Sequence, residues 1–503
     1  MAERIRKYKK PSSLVPGDIP KKLVNNLSNE LAIPLTLIYK NCLLKTAWPR
    51  LWKNEIVIPI PKTQTPVSYN DIRPISMSPL WSKVLESIVA ELTLEETKRY
   101  WNPNQHGGEK GSSTDHVIIE AWDVILRSLD KSSSNKAVVF AAIDFSKSFS
   151  RCSHMQILDS YRQVKASQWL IDMHAAFLMG RTMSVKVGTH ISVPKQVTGG
   201  AVQGSVFGVL DHNVVLNNLD DEVDPTTHVA KYVDDMTLIE TVPAEVETEV
   251  NVEGNRPLHI IKPKTIKQSF MKIKIKSESK GLKINEGKTQ LLSVSSAYYD
   301  TQAQIEIDDD KIVSQSELKM LGFKFSKDPN VSHQLDYLFK KANKRFFILL
   351  RHKKAGLPNN RLRDVYSSII RSCLEYSSPV YHSQLNQGHI NLLERMQKRC
   401  LRAIYGYEYD YQTLLQMSGL RSLEDRRRTR FEKFTKNTLK NPKYSHWFPP
   451  NNNTRSGRHT HKYLEERSNG NRLYNSPIFA MRRFLNQTED RLATDLTGLF
   501  NSP

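Results

Sequence analysis

Three carboxylates set the chemical question. Asp144 closes an almost uncharged run, Ala137-Val138-Val139-Phe140-Ala141-Ala142-Ile143, and Asp234-Asp235 lies ninety residues further on, between the β-favouring runs 229–233 and 236–239. Carboxylate oxygens are the ligands that hard divalent cations such as Mg2+ prefer. Two such ions about 4 Å apart can activate a hydroxyl and stabilise a leaving pyrophosphate, which is the charge neutralisation that phosphoryl transfer demands. A plainer account is also open, in which Asp234-Asp235 is only a hairpin turn and Asp144 caps the helix that follows. Spacing alone does not separate the two.

The elements around these acids decide whether they can meet. Seven apolar residues without polar alternation read as a strand buried on both faces, and two short β runs separated by Asp234-Asp235 read as a tight hairpin. The three acids converge if those strands are neighbours. Upstream, a helical pattern runs through Leu23, Leu27, Leu31 and Leu35 to Leu43, and Ile56-Val57-Ile58-Pro59-Ile60 reads as a strand. Residues 78–100 read as an amphipathic helix with Leu80, Val84, Leu85, Ile88 and Leu92 at its apolar positions, followed by the loop Asn102-Pro103-Asn104-Gln105-His106-Gly107-Gly108. From about residue 320 the signals are mostly helical. The last sixty residues, polar and turn-rich from Trp447-Phe448-Pro449-Pro450-Asn451-Asn452-Asn453 onward, read as a loosely packed appendage.

The 503 residues carry 73 Lys and Arg against 52 Asp and Glu, a net charge of +21. A field this positive favours polyphosphates, so nucleic acid leads as partner, with an anionic membrane as the rival. No apolar stretch approaches the ~18 residues of a membrane span, and the first ten residues lack the apolar core of a signal peptide. The expectation is a soluble intracellular chain, nuclear or cytoplasmic, that binds no membrane. Cys42, Cys152, Cys373 and Cys400 are too scattered for a disulfide framework or a zinc finger. Between 340 and 363 there are nine Lys or Arg and no acid, interleaved with Phe346, Phe347, Leu349 and Leu350. Such a pattern lets apolar groups pack inward while cations line a duplex backbone, unless it is simply a solvated helix face. Arg426-Arg427-Arg428 with Arg430 offers a second basic cluster, for RNA or for nuclear import, weakened by Glu424, Asp425 and Glu432.

Ordered blocks then narrow the choice. They are Pro16-Gly17-Asp18-Ile19-Pro20; Trp52-Lys53 with Ile58-Pro59-Ile60-Pro61-Lys62 and Asp71-Ile72-Arg73-Pro74-Ile75-Ser76; and Asp144-Phe145-Ser146-Lys147-Ser148-Phe149. Gly199-Gly200-Ala201-Val202-Gln203-Gly204-Ser205-Val206-Phe207-Gly208, Tyr232-Val233-Asp234-Asp235, Gly281-Leu282-Lys283-Ile284-Asn285 with Lys288-Thr289, and Leu321-Gly322 complete the series. Over about residues 13 to 490 the series resembles the reverse transcriptase of a non-LTR retrotransposon (LINE) of the jockey-like type. A lone Tyr-x-Asp-Asp is weak, but seven blocks in order are specific.

The resemblance implies an α/β right-hand polymerase with fingers, a palm on an antiparallel sheet and a helical thumb. A basic N-terminal tail would occupy 1–12, fingers and palm 13–318, the thumb 319–440 and a C-terminal appendage 441–503. It implies Asp144, Asp234 and Asp235 as catalytic carboxylates that bind two Mg2+ ions, with Mn2+ as a substitute and the backbone carbonyl of Phe145 beside the metal and the incoming triphosphate. Lys62 and Arg73 would hold that triphosphate from the fingers, a flexible point charge and a planar fork respectively. Gln203, followed by Gly204, would lie against the nascent base pair. Phe149 would crowd the sugar 2′ position and favour deoxynucleotides, and Lys288 would protonate the leaving pyrophosphate. Lys340, Lys341, Lys344, Arg345, Arg351, Lys353 and Lys354 would grip nucleic acid from the thumb. For each the bland alternative is a solvated cation, a plain loop or an ordinary core Phe.

The sequence also departs from that family. The loop usually written Gln-Phe-Gly-Phe-Arg is Gln105-His106-Gly107-Gly108-Glu109, which puts an acid where template phosphate would be repelled. Val202 replaces the usual Pro, and Ser150 the usual Asp. No endonuclease segment is evident, so this chain is expected to polymerise but not to cut. The expected activity is addition of deoxynucleotides to a DNA primer 3′-end on an RNA template. The rivals are a decayed RNA-binding protein that kept the fold, favoured by the altered loop, and an RNA-dependent RNA polymerase, disfavoured by Phe149 and Gln203-Gly204.

Overall fold

The computed structural model describes residues 1–7, 19–130, 136–243, 248–250, 258–295, 300–307, 310–451 and 461–500. The block Pro16-Gly17-Asp18, the basic tail from Tyr8 onward and Asn452-Asn453 lie outside the described residues. In chain order the first strands are β1 (Asn54–Pro61), β2 (Ile72–Met77), β3 (Lys136–Ile143), β4 (Thr182–Val187), β5 (His190–Ile191), β6 (Lys195–Gln196), β7 (His228–Tyr232) and β8 (Asp235–Pro243). Then follow β9 (Thr248–Val250), β10 (Leu258–Ile261), β11 (Gln290–Ser295), β12 (Asp300–Ile307), β13 (Asp310–Gln315), β14 (Glu317–Met320) and β15 (Phe323–Ser326).

β3 is the spine of the larger sheet, whose order is β7-β8-β3-β11-β13-β12-β10-β9. It pairs antiparallel with β8 on one side, Ile143 opposite Met236, and with β11 on the other. Its near-uninterrupted apolar run follows from that position, because a central strand meets a core on each face. Val138 and Phe140 join Trp122, Phe323 and Phe325 in one core, while Ala137, Val139 and Ala141 enter a second with Val84, Tyr161 and Phe207. At about 1.5–3 kcal/mol per fully buried large side chain, this two-sided burial fixes the strand that carries Asp144.

The smaller sheet holds the fingers strands. β1 pairs antiparallel with β2, Ile60 opposite Arg73, and parallel with β4. The Leu80–Thr97 helix matches the periodicity of 78–100. The Leu23–Leu43 pattern breaks instead into helices Lys21–Asn26 and Ala32–Leu44, with Leu35, Tyr39 and Cys42 buried and Leu23 and Leu27 exposed. The polar run Asn25-Asn26 with Ser28-Asn29 competes for backbone hydrogen bonds there and ends the first helix.

Past the β14–β15 hairpin the chain becomes helical at Ser332, with long helices Ser332–Lys354, Gln387–Tyr405 and Leu423–Leu439 sharing the core that contains Trp122 and Phe140. The expectation of a loosely packed C-terminal segment does not hold among the described residues. Tyr444, Trp447, Phe448, Phe479 and Met481 are buried in that same core, and the buried Arg482 donates to Trp447 O at 2.7 Å and to Glu466 at 2.7 Å. Aromatic anchors hidden among polar residues escape a composition average. The basic cluster at 426–430 is partly internal: Arg426 and Arg430 pair with the buried Glu375 and Arg427 is itself buried, while Arg428 and Arg430 stay exposed. Neither Arg426 nor Arg427 is presented to RNA or to an import receptor. All four cysteines are free and buried. Among the described residues no helix is long and apolar enough to cross a membrane.

Candidate active site

Asp144 stands at the first residue past β3, and β8 begins at Asp235, so the antiparallel register brings the three acids to one end of adjacent strands. The hairpin is one residue out of step with the sequence expectation. Its two-residue loop is Val233-Asp234, and Asp235 pairs with Tyr232 as the first residue of β8. Asp144 does not cap the next helix either, since Lys147 precedes Ser148–Arg151 with a left-handed φ of +51°. The plainer account of Asp144 as a cap therefore fails.

Electrostatics shows that the acids share one space. Asp235 is pushed up to about 6, by burial first and then by Asp234 and Asp144, with Arg73 opposing. Asp234 also titrates above the usual carboxylate range, by burial and by Asp144, against its own backbone N–H and Arg73. Both side chains lie open to solvent at the rim, yet the surrounding protein displaces enough water to disfavour their charge. Burial raises Asp144 too, and Lys288 and Lys62 are near enough to oppose that.

The distant cations arrive on separate elements. Lys62 ends the β1 side of the fingers hairpin, where its ammonium donates to Asn70 O at 2.8 Å, and Arg73 is exposed on β2. Lys288 is delivered by backbone bonds between the two loops, Asn285 N to Asp144 O at 2.7 Å and Ser146 N to Lys283 O at 2.8 Å. Those bonds flank Phe145, whose ring is buried. The molecule thus gathers Asp144, Asp234, Asp235, Lys62, Arg73 and Lys288 at one place. Oxygen-rich, mutually repelling carboxylates suit a hard divalent cation. Among the described residues no group of three or more His, Cys, Asp or Glu side chains is placed so that it could hold a metal ion as it stands.

The loop carrying Gln203 docks on the fingers. Ser76 N donates to Gln203 O at 2.8 Å, and Gly204, at φ +113°, would place a Cβ 2.6 Å from Ser76 O. Glycine is needed here for close approach to a fingers strand. The Val206–Val215 helix that follows is anchored at its N-terminus by the buried Glu86, which accepts from Val206 N at 2.7 Å and Phe207 N at 3.3 Å. From that helix His212 stacks on Phe149, centroids 4.1 Å apart and planes 8° from parallel. Neither Glu86 nor His212 stood out in the sequence, because a lone acid or His on a helix carries no signal until its neighbour across the fold is known.

Two expectations change. Glu109 is ion-paired with Lys443 at 2.6 Å, so the acid in the altered loop is neutralised within the protein rather than aimed at template. On the Ser332–Lys354 helix, Arg345, half-buried, donates to Ile369 O at 2.6 Å, and Lys353, though exposed, donates to Ala403 O, so each has a carbonyl partner within the protein. Lys341 lies over the Tyr337 ring, 5.0 Å from its centroid, and Lys340, Lys344, Arg351 and Lys354 remain exposed.

Fingers, a palm sheet and a helical thumb make this a right-hand polymerase fold. Residues 60–325, more than half of the chain, match the family described as Reverse transcriptase (RNA-dependent DNA polymerase), and the chain belongs to that family. The curated relatives that the chain is similar to include polymerases of mobile elements, jockey among them, in line with the resemblance read from the blocks. The RNA-directed DNA polymerase from mobile element jockey of Drosophila melanogaster is 25% identical over 243 residues, 46% of this chain and 26% of that protein. The probable RNA-directed DNA polymerase from transposon BS of the same fly is 26% identical over 216 residues, 41% of this chain and 23% of that one. The retrovirus-related Pol polyprotein from type-1 retrotransposable element R1 of Bradysia coprophila is 24% identical over 414 residues, 80% of this chain and 39% of the relative. The chain thus spans well under half the length of each of these relatives. A truncated apo telomerase from Candida tropicalis aligns over 61% of this chain at 13% identity, with a TM-score of 0.36 that carries no weight. Members of the family depend on divalent metal ions.

Proposed function

We propose that this chain is an RNA-directed DNA polymerase of a non-LTR retrotransposon, acting inside the cell on an RNA template, a DNA primer and deoxynucleoside triphosphates. The observation that carries the proposal is the meeting of three carboxylates from β3 and the β7–β8 hairpin with Lys62, Arg73 and Lys288. In this reading residues 13–318 are fingers and palm, 319–440 the thumb, and 441–503 a C-terminal segment whose described anchors, Tyr444, Trp447 and Phe479 among them, lie in the core shared with both.

Asp144, Asp234, Asp235 and the Phe145 carbonyl would hold two Mg2+ ions, or Mn2+ in their place. When bound, the ions lower the pKa of the primer hydroxyl and neutralise charge on the leaving pyrophosphate. The protein's own groups do the rest. Arg73 and Lys62 hold the triphosphate from the fingers, Gln203 lies against the nascent pair, Phe149 excludes a 2′-hydroxyl, and Lys288 gives a proton to the departing pyrophosphate. Extension of oligo(dT) on poly(rA) in Mg2+, with deoxy- and ribonucleotides compared, tests the proposal. Deoxynucleotide addition is expected. RNA binding without extension would identify a decayed RNA-binding protein instead, and preferential ribonucleotide addition an RNA polymerase.

A further inference from the structure

The tip of the β7–β8 hairpin is held by a side chain outside the catalytic set. Its first loop residue, Val233, has φ +59°. That left-handed backbone suits Gly or Asn and is unfavourable for a β-branched residue, whose Cβ crowds the following carbonyl. Left to local preference the turn would relax and carry Asp234 and Asp235 with it.

Gln105 opposes that relaxation. The residue is only 5% exposed, and its side-chain oxygen accepts from Val233 N at 2.9 Å and from Gly107 N at 2.8 Å, while its amide nitrogen donates to Val233 O at 3.3 Å. Both backbone polar groups of the strained residue therefore end on one buried side chain. The approach requires glycine at 107, where a Cβ would sit 2.6 Å from Val233 Cγ2 and closer still to its backbone nitrogen. The bracing loop is fixed from both sides. Toward the palm, His106 N donates to Lys231 O at 2.9 Å and Lys231 N to Asn104 O at 2.8 Å, and the buried Lys231 ammonium is paired with Asp220. Toward the C-terminus, Lys443 Nζ donates to Gln105 O at 2.7 Å, and the Tyr444 hydroxyl lies 3.0 Å from His106 Nδ1.

We propose that Gln105 is a positioning residue of the catalytic hairpin: its amide holds Val233 in the left-handed conformation that presents Asp234 and Asp235 to Asp144. The kinetic consequence rests on the polymerase reading, whereas the bracing itself does not.

Gln105→Met keeps the volume and removes the hydrogen bonds. In the full chain without nucleic acid, amide hydrogen exchange over residues 232–236 should speed up at Val233, whose N–H loses its acceptor, with the other strands of the palm sheet little changed. In primer extension kcat should fall about ten- to a hundred-fold, the cost of a hairpin displaced by about an ångström, while nucleotide KM and primer-template Kd change less than about threefold. Adding Val233→Asn, which adopts the left-handed backbone readily, should restore much of the lost kcat. If Gln105→Met does not fold, Gln105→Asn, one methylene short of its partners, carries the same expectations. Wild-type exchange at Val233 in a folded variant would overturn the proposal, as would kcat and KM falling off together with no rescue by Val233→Asn. A wild-type chain that extends no primer would sink the polymerase reading, and the exchange measurement would still decide the bracing.

Discussion

At the scale of single residues, the three aspartates repel one another and depend on their surroundings to remain charged together. Asp144→Asn or Asp234→Asn should abolish primer extension while RNA binding stays near wild type, because one ligand charge is lost and the side-chain shape is kept. Since burial and like charge disfavour ionised Asp234, its replacement by Asn should also leave the metal-free protein no less resistant to heat. Extension persisting near the wild-type rate in either variant would remove these residues from the catalytic set. Sugar choice is a second residue-scale matter. Phe149→Ala should admit ribonucleotides by removing a steric wall. His212, stacked flat against that ring, should matter indirectly: His212→Leu is expected to narrow the deoxy/ribo ratio of kcat/KM several-fold less than Phe149→Ala does. A ratio unmoved by Phe149→Ala would make Phe149 a core residue and not a gate.

Among the elements, the Thr114–Asp130 helix and the Pro442–Trp447 turn form a joint behind the catalytic hairpin. His116 stacks on Tyr444 at 4.1 Å and is bonded at its two nitrogens, 2.8 Å from Ser113 Oγ and 3.0 Å from Thr438 Oγ1. Burial, aided by His106 and Lys443, lowers its pKa from 6.5 to about 3. A histidine held neutral in the folded state but protonated in the unfolded chain contributes stability that is fully present above pH 6.5. That contribution is lost progressively as pH falls from 6.5 toward 3. Thermal unfolding should therefore move to lower temperature across this window, and His116→Phe should flatten the fall. It removes at most one proton's worth of dependence, about 1.4 kcal/mol per pH unit, because the buried His212 and His382 are shifted in the same direction. At neutral pH the same variant should cost about 1 kcal/mol for each hydrogen bond lost. A pH dependence as steep as wild type in His116→Phe would place the acid sensitivity elsewhere.

For the molecule as a whole, a net charge of +21 is useful only where it faces a polyanion. Lys340, Lys344, Arg351 and Lys354 recur at helical spacing on the exposed side of Ser332–Lys354, beside the exposed Phe347, while Arg345 and Lys353 bind carbonyls. Neutralising the exposed four should weaken primer-template binding equally for unrelated sequences. The log K against log salt slope should flatten by about 0.7 to 0.9 per phosphate contact, or about three in all. Neutralising Arg345 and Lys353 should lower the unfolding temperature instead. The quadruple and the double set thus exchange roles if the helix presents a different face to the duplex, and a salt slope unmoved by the exposed set would show that to be so.

Much of this molecule was legible before any coordinates. A seven-residue apolar run can be a central strand because burial on both faces leaves no room for polar alternation, and β3 is one. Two β runs two residues apart can hardly avoid a hairpin, but only the tertiary pairing of β8 with β3 brings Asp234 and Asp235 to Asp144. Connectivity did not determine which side chains are spent inside. The same Lys-rich helix contains exposed cations and cations bound to carbonyls, Glu109 finds Lys443 more than three hundred residues away, and Gln105 finds the backbone of Val233. Those pairings depend on which surfaces meet after the strands have paired. A hydrogen bond or ion pair forms over about 3 Å in space, and sequence distance says nothing about which residues come that close.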